Sequence, residues 1–253
     1  LEGAAAATAI SQLVGGLIPV IYFAFPNSSL LRLGKTKFDI RALIKTCTNG
    51  ASELMSNIST SLVSMLYNAQ LLKYAGEDGV AAYGVLMYVS LVFQAVYIGY
   101  SVGAAPIIGY NYGAQNHKEM KSLLRKSLIL TGCFAVIMFA AAFALSKPLS
   151  NVFVGYDEGL LNMTVHAFSI FSFSFLFSGF AIFGSSFFTA LNNGLISALI
   201  SFMRTLVFQV AAVLIFPLIW QLDGIWMSIV AADFLSIIVT IIFLKTNKKK
   251  YHY

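Results

Sequence analysis

Three ionisable residues, Glu53, Arg204 and Asp233, stand inside stretches of the sequence that are otherwise apolar for about 20 residues or more. An ionisable group at the centre of a bilayer costs a few kcal/mol and seldom faces lipid, so each is expected to face other protein or a water-filled cavity. Glu53 lies about ten residues into its stretch, Arg204 about nine and Asp233 about eight, which at 1.5 Å per residue puts each roughly 12–15 Å deep, near the midplane. Substrate and ion sites of transporters lie at that depth.

Glu53 does not stand alone on its helix. Wound at 3.6 residues per turn, Thr46, Asn49, Glu53, Asn57, Thr60, Ser64 and Asn68 fall within an arc of about 100°. Such a stripe either makes hydrogen bonds between helices or forms one wall of a water-accessible cavity. Its run through the whole thickness, with a carboxyl at mid-depth, favours the cavity. Asn49 and Asn57, one turn either side of Glu53, are expected to orient that carboxyl by hydrogen bonds. Arg204 and Asp233 are candidates for the same site, or a pair that neutralise each other. His166, near the end of its apolar stretch, is a hydrogen-bonding or titrating residue.

The elements that must position these groups follow from composition. Of 253 residues, 58% are hydrophobic and 10% charged, against roughly 25% charged in an ordinary soluble domain. Soluble enzymes and nucleic-acid binders are excluded on that ground, and no catalytic constellation or metal cluster is present in the pattern. Cys47 and Cys133, 86 positions apart in apolar stretches, read as small core residues, not a disulfide or metal pair. The apolar runs predict seven transmembrane helices, at about 4–25, 43–72, 80–110, 127–146, 160–190, 195–220 and 225–244. They are continuous, whereas the strands of a barrel alternate over about ten residues, so the predicted fold class is an all-α membrane protein. The fifth span carries nine Phe between Phe168 and Phe188 interleaved with Ser, which suggests lipid contact, packing through the small Ser, or an aromatic cavity wall.

The connections alternate in charge. Residues 26–45, 111–126 and the tail after 244 hold five, four and four Lys or Arg, while the opposite set holds only Lys73 and Lys147. Basic residues mark the cytoplasmic side, so the chain is expected to start outside and to end in the cytoplasm.

Laying Gly3 on Gly224 superposes the first span on the last, with Gln12 on Asp233. Together with the start at Leu1 and Glu2, where the apolar run begins at once, this suggests a chain cut in its middle. Residues 1–25 are then the last helix of a preceding half, 26–45 a basic cytoplasmic linker, 46–244 a six-helix half and 245–253 a basic tail. Parallel repeats of this kind are a transporter architecture.

The third span closes on Gly103-Ala-Ala-Pro106-Ile-Ile-Gly109-Tyr-Asn111-Tyr-Gly113-Ala114, where Pro106 and the glycines allow a bend and close packing. These residues resemble a motif found in each half of the multidrug and toxic compound extrusion transporters. Gly50-Ala-Ser-Glu53 with Asn57, Tyr74-Ala-Gly76 with Val80-Ala-Ala-Tyr83-Gly84, and Phe187-Phe188 through Asn193 to Arg204 are similar to the bacterial branch of that family. The resemblance covers essentially the whole chain. It implies the sixth to twelfth helices of a twelve-helix fold, with five further helices as an intramolecular partner. It also implies a cell-membrane protein that exports cationic or lipophilic compounds in exchange for H⁺ or Na⁺ by alternating access. No cofactor is implied beyond that coupling ion. Glu53 matches the acidic position of the family's seventh helix. The fifth span lacks the acid that some members place in their tenth helix, and position 105 is Ala where many are polar.

Two alternatives stand beside this one. A lipid-linked saccharide flippase of the same superfamily would use a cationic cavity, for which Arg204 speaks. A seven-helix receptor has the same topology, but Asp-Arg-Tyr after the third span and Asn-Pro-x-x-Tyr in the seventh are absent.

The charge partition carries a direct test of orientation. In a background without Cys47 and Cys133, Lys118→Cys is expected to resist an impermeant thiol reagent added outside intact cells and Asp157→Cys to react. The opposite labelling would invert the topology.

Overall fold

The computed structural model describes residues 2–25 and 38–253, which fall into two compact units, Leu1–Leu43 and Ile44–Tyr253. Of the expected basic linker, residues 26–37 lie outside the described residues.

In the first unit, helix α1, Glu2–Ala24, contains Pro19, and its described side chains are exposed except the half-buried Phe23. Its stretch Ala5–Ala24 is long and apolar enough to cross a membrane. The carboxylate of Asp39 accepts from the backbone N–H of Arg41 at 2.9 Å and of Ala42 at 3.3 Å, which caps the start of the next helix.

That helix, α2, is continuous by hydrogen bonding over Ile40–Gly113 except at Gly76, where φ 65° and ψ −153° are not helical. Its 74 residues would extend about 110 Å, several bilayer cores, so a reversal is required. Gly76 supplies it, because only glycine enters this backbone region without strain. The two arms then lie side by side: the rings of Tyr67 and Tyr83 stack with centroids 5.4 Å apart. The sequence places two spans here, 43–72 and 80–110, and the break falls between them.

Four further crossings follow. They are α3, His117–Val154; α4, Glu158–Phe171, joined through a 3₁₀ turn at Ser172–Ser174 to α5, Phe175–Ala190; α6, Gly194–Phe202, joined through a π turn at Met203–Val207 to α7, Phe208–Ile215; and α8, Pro217–Tyr251. With α1 and α2, six helical stretches among the described residues are long and apolar enough to span a bilayer. The fold is all-α and multi-pass.

Several connections are shorter than the sequence suggests. Only three residues, Ala114 to Asn116, separate α2 from α3, because Asn116 accepts from the N–H of Glu119 at 3.2 Å and starts the helix at once. The basic residues 117–126 therefore ride on the first turns of α3 instead of forming a loop. At the far end of α3 the helix runs through Pro148 to Val154, so most of the expected connection 147–159 is helical too. Asp157 caps α4 through the N–H of Leu160 at 3.0 Å. The sixth crossing stops at Ile215, short of the expected residue 220, and Gln221, at φ 50°, completes the reversal into α8.

The α4–α5 crossing is the axis of the bundle. Phe168, Phe171, Phe175, Phe183, Phe187 and Phe188 are all fully buried, so most of the aromatic content of the fifth span is core, while Phe177 and Phe180 are half-buried and Phe173 faces outward. Close approach is made by small residues. A Cβ on Gly179 would lie 2.5 Å from the ring of Tyr97, whose hydroxyl donates to the Phe175 carbonyl at 2.8 Å. Ser185 meets Ser197 and Ser201 of α6 at 2.9 Å each. Cys47 and Cys133, expected inside, lie on exposed helix faces; their sulfurs are apolar enough to face hydrocarbon as readily as core.

Gly179→Ala should lower the melting temperature of the purified protein in detergent, at a cost of about 1–3 kcal/mol for overpacking. Combining it with Tyr97→Leu should cost less than the two changes added separately. Simple additivity would mean the two residues do not share that contact.

Candidate functional site

Both arms of α2, the middle of α5 and the π turn after α6 enclose a polar cleft of about 280 Å³. Its first wall is the polar face of the first arm: Glu53, Ser56, Asn57 and Thr60. This face exists because the 3.6-residue period keeps those side chains in register. The second arm adds Gln94 and Ser101, α5 adds Ser185 and Ser186, and the π turn adds Arg204 and Thr205. No Phe of the fifth span lines this cleft, so its serines, not its aromatic rings, form the wall.

The π turn is the local feature that sets the chemistry. In it the N–H of Phe208 bonds to the carbonyl of Met203, five residues back, which inserts an extra residue into the helical turn around Arg204. From there the Arg204 Nε donates to Asp233 Oδ1 at 3.0 Å. Asp233, on α8, is 3% exposed and Arg204 15%, so the pair is held away from water and each charge answers the other. Of the two readings the sequence leaves open for these residues, the geometry contains the mutual one. Arg204 remains in the cleft wall, while Asp233 lies behind it in a smaller pocket shared with Tyr83, Gln94 and Gln209.

Glu53 has no such partner. Among the described residues no hydrogen bond or ion pair reaches its carboxyl, and it sits on an exposed face of the unit. The expected orientation by neighbouring amides does not occur. Asn57 Nδ2 donates to the Glu53 backbone carbonyl at 3.0 Å, satisfying the helix and not the carboxylate. Asn49 is outside the cleft; its Oδ1 is buried without a partner, where the start of α6 presses on this arm. Gly194 makes that approach possible, since a Cβ there would collide with the backbone of Thr48 and Asn49.

The motif at the end of α2 begins directly after the cleft residues Ser101 and Val102. The helix runs on through Pro106, which removes the donor to the Val102 carbonyl, and Ser186 Oγ donates to the adjacent Ser101 carbonyl at 3.2 Å. Of its glycines, Gly109 meets a neighbour, the Ala190 carbonyl 3.5 Å from a built Cβ; Gly103 and Gly113 meet nothing within 4 Å outside their own helix. Asn111 donates to the Ile107 carbonyl at 2.9 Å, and its own carbonyl accepts from Asn116 N–H at 2.9 Å, closing the turn. These are structural roles. His166 Nε2 contacts Asp223 Oδ1 at 2.9 Å, remote in the fold from the cleft.

Gln94, Ser101, Ser185 and Thr205 were not legible as site residues. Each is an uncharged polar residue in an apolar run, where such residues serve helix packing as readily as a cavity wall.

The MatE family model matches residues 54–215, which covers α2 from Leu54 onward, α3, the α4–α5 axis, α6, the π turn and α7, and begins one residue after Glu53. The chain belongs to the MatE family. Among curated MatE relatives, multidrug export protein MepA of Staphylococcus aureus is 22% identical over 235 residues, 91% of this chain and 51% of MepA. MepA of Staphylococcus haemolyticus is 26% identical over 144 residues, 54% of this chain and 31% of that protein. The chain thus spans about half the length of the first of these relatives. The fold matches the crystal structure of a MATE transporter in complex with MaL6, with a TM-score of 0.91 at 19% identity over 98% of this chain and 57% of that one. It also matches a MOP superfamily transporter from Pyrococcus furiosus in which reverse polarity of the binding pocket suggests a different function, with a TM-score of 0.89 at 20% identity over 99% and 57%. MatE membership removes the seven-helix receptor alternative.

Asp233→Asn should leave the Arg204 charge without its counter-charge, destabilising the protein by about 3–5 kcal/mol. The double variant Arg204→Gln/Asp233→Asn should recover most of that loss in a detergent melting experiment. If the double variant is as unstable as the single one, the pair is not the unit described.

Proposed function

We propose that this chain is the C-terminal half of a multidrug antiporter, with α1 as the last helix of the preceding half. The transporter exports cationic or lipophilic compounds in exchange for H⁺ or Na⁺ by alternating access. It lies in the cell membrane with the basic ends of α3 and α8 in the cytoplasm.

One observation carries the reading: the polar cleft holds a carboxyl, Glu53, with no partner among the described residues, beside an arginine already neutralised by Asp233. A cleft whose only uncompensated ionisable group is a carboxyl favours cations over anions. That carboxyl can answer a proton, a Na⁺ or the positive charge of a drug, but one at a time. Mutual exclusion at one group is sufficient for exchange: binding of the drug requires departure of the ion, and the ion gradient then restores the first state. The hydroxyls of Ser56, Ser185 and Thr205 and the amide of Gln94 line the cavity without adding charge, as suits ligands of varied shape. Arg204 speaks for the flippase alternative only as an unopposed cation, and the ion pair removes that support.

In the full-length transporter, Glu53→Gln keeps volume and removes the charge. Expression should survive and gradient-driven efflux of an ethidium-like dye should fall to background. Wild-type efflux at matched expression would return the polar face to helix packing alone, and an equal loss in a folded Asp233→Asn variant would spread the coupling role over both helices.

A further inference from the structure

At the basic end of the second unit, α3 begins and α8 ends side by side, and a second, unrelated groove opens between them. Its mouth carries four cations, Lys121 and Arg125 from α3 and Lys245 and Lys248 from α8. All four are exposed, no acid lines the groove, and none of the four makes an ion pair among the described residues. The single acid on these turns, Glu119, lies outside it.

Behind the cations the lining changes character within about one turn. Leu128 and Ile129 on α3, with Ile241 and Leu244 on α8, form an apolar wall that continues into the membrane-crossing parts of both helices. Ile129 is 58% exposed and Ile241 44%, so this wall is open at the side. Four cations at the water line above an open apolar channel complement a molecule with an anionic head and a hydrocarbon tail. A soluble anion would not use the apolar wall, and a cationic compound would be repelled at the mouth.

We propose that this groove binds an anionic phospholipid of the adjoining leaflet, its phosphate held among Lys121, Arg125, Lys245 and Lys248 and one acyl chain laid along Leu128, Ile129 and Ile241. Each surface cation strengthens such binding about fivefold. The site shares no lining residue with the polar cleft, so it stands independently of the transport reading.

The test uses the full-length protein in nanodiscs of equal phosphatidylglycerol and phosphatidylcholine, each in turn carrying a photoreactive acyl chain, with adducts mapped by peptide mass spectrometry. Phosphatidylglycerol should label residues 124–129 and 241–248 in preference to phosphatidylcholine. The yield should drop about fivefold in Arg125→Gln and by more than tenfold in Lys121→Gln/Arg125→Gln/Lys245→Gln/Lys248→Gln, and should be retained in Lys245→Arg/Lys248→Arg. Arg125 is exposed, so its single variant tests the site even if the fourfold variant does not fold. Equal labelling by the two lipids, unchanged yield in Arg125→Gln, or complete displacement by millimolar inorganic phosphate would each overturn the proposal, the last by showing a site for free anions.

Discussion

In hydrocarbon a backbone has no water to turn to, so every N–H and C=O must find its partner within the protein, and each departure from the helical ladder has to be compensated locally. The fold follows from that constraint. Ser and Thr hydroxyls of the helices bond back to carbonyls three or four residues earlier, as Thr60 does to Ser56, Thr164 to Leu160 and Thr240 to Ser236. Among the described residues the ladder is interrupted at the reversals at Gly76 and Gln221, at Pro19, Pro106 and Pro148 within helices, at the 3₁₀ turn Ser172–Ser174 and at the π turn Met203–Val207. One of these, the π turn, lies in the wall of the polar cleft. There the irregular backbone coincides with the buried Arg204–Asp233 pair, whose polar groups stand beside it.

The electrostatics of the cleft depend on one bond. Arg204 alone would make the cavity cationic, and Asp233 alone would be a buried carboxylate without a counter-charge. Joined at 3.0 Å they cancel, and the balance passes to Glu53. The pair therefore acts on the site by subtraction: Asp233, outside the lining, cancels the charge of Arg204 within it.

Sequence reasoning reached the elements and the three charged residues because the signals behind them are strong. Long apolar runs have few readings other than membrane helices, and a Glu, Arg or Asp within such a run stands out whatever surrounds it. What it could not reach was which helices face each other. The Arg204–Asp233 bond joins residues 29 apart through a π turn for which Met-Arg-Thr-Leu-Val gives no cue. The serines of α5 fit equally well as packing or lining and turn out to be both. The basic stretch after α2 read as a loop because charge implies water; the structure shows water and helix together. Asn57 lines the cleft and Asn49 does not, and an amide one turn from a carboxylate bonds more easily to its own helix, as Asn57 does.

The contact between Gly194 and the Thr48–Asn49 backbone has a mechanical meaning. Where two helices meet through side chains, rotamers can adjust and the surfaces can slide by fractions of an ångström. Main chain laid directly on main chain has no such slack. The joint between the first arm of α2 and the head of α6 is closer to a dry bearing than to a greased one: it stays seated or lifts away whole, and any working motion that separates these two helices has that discrete step built into it.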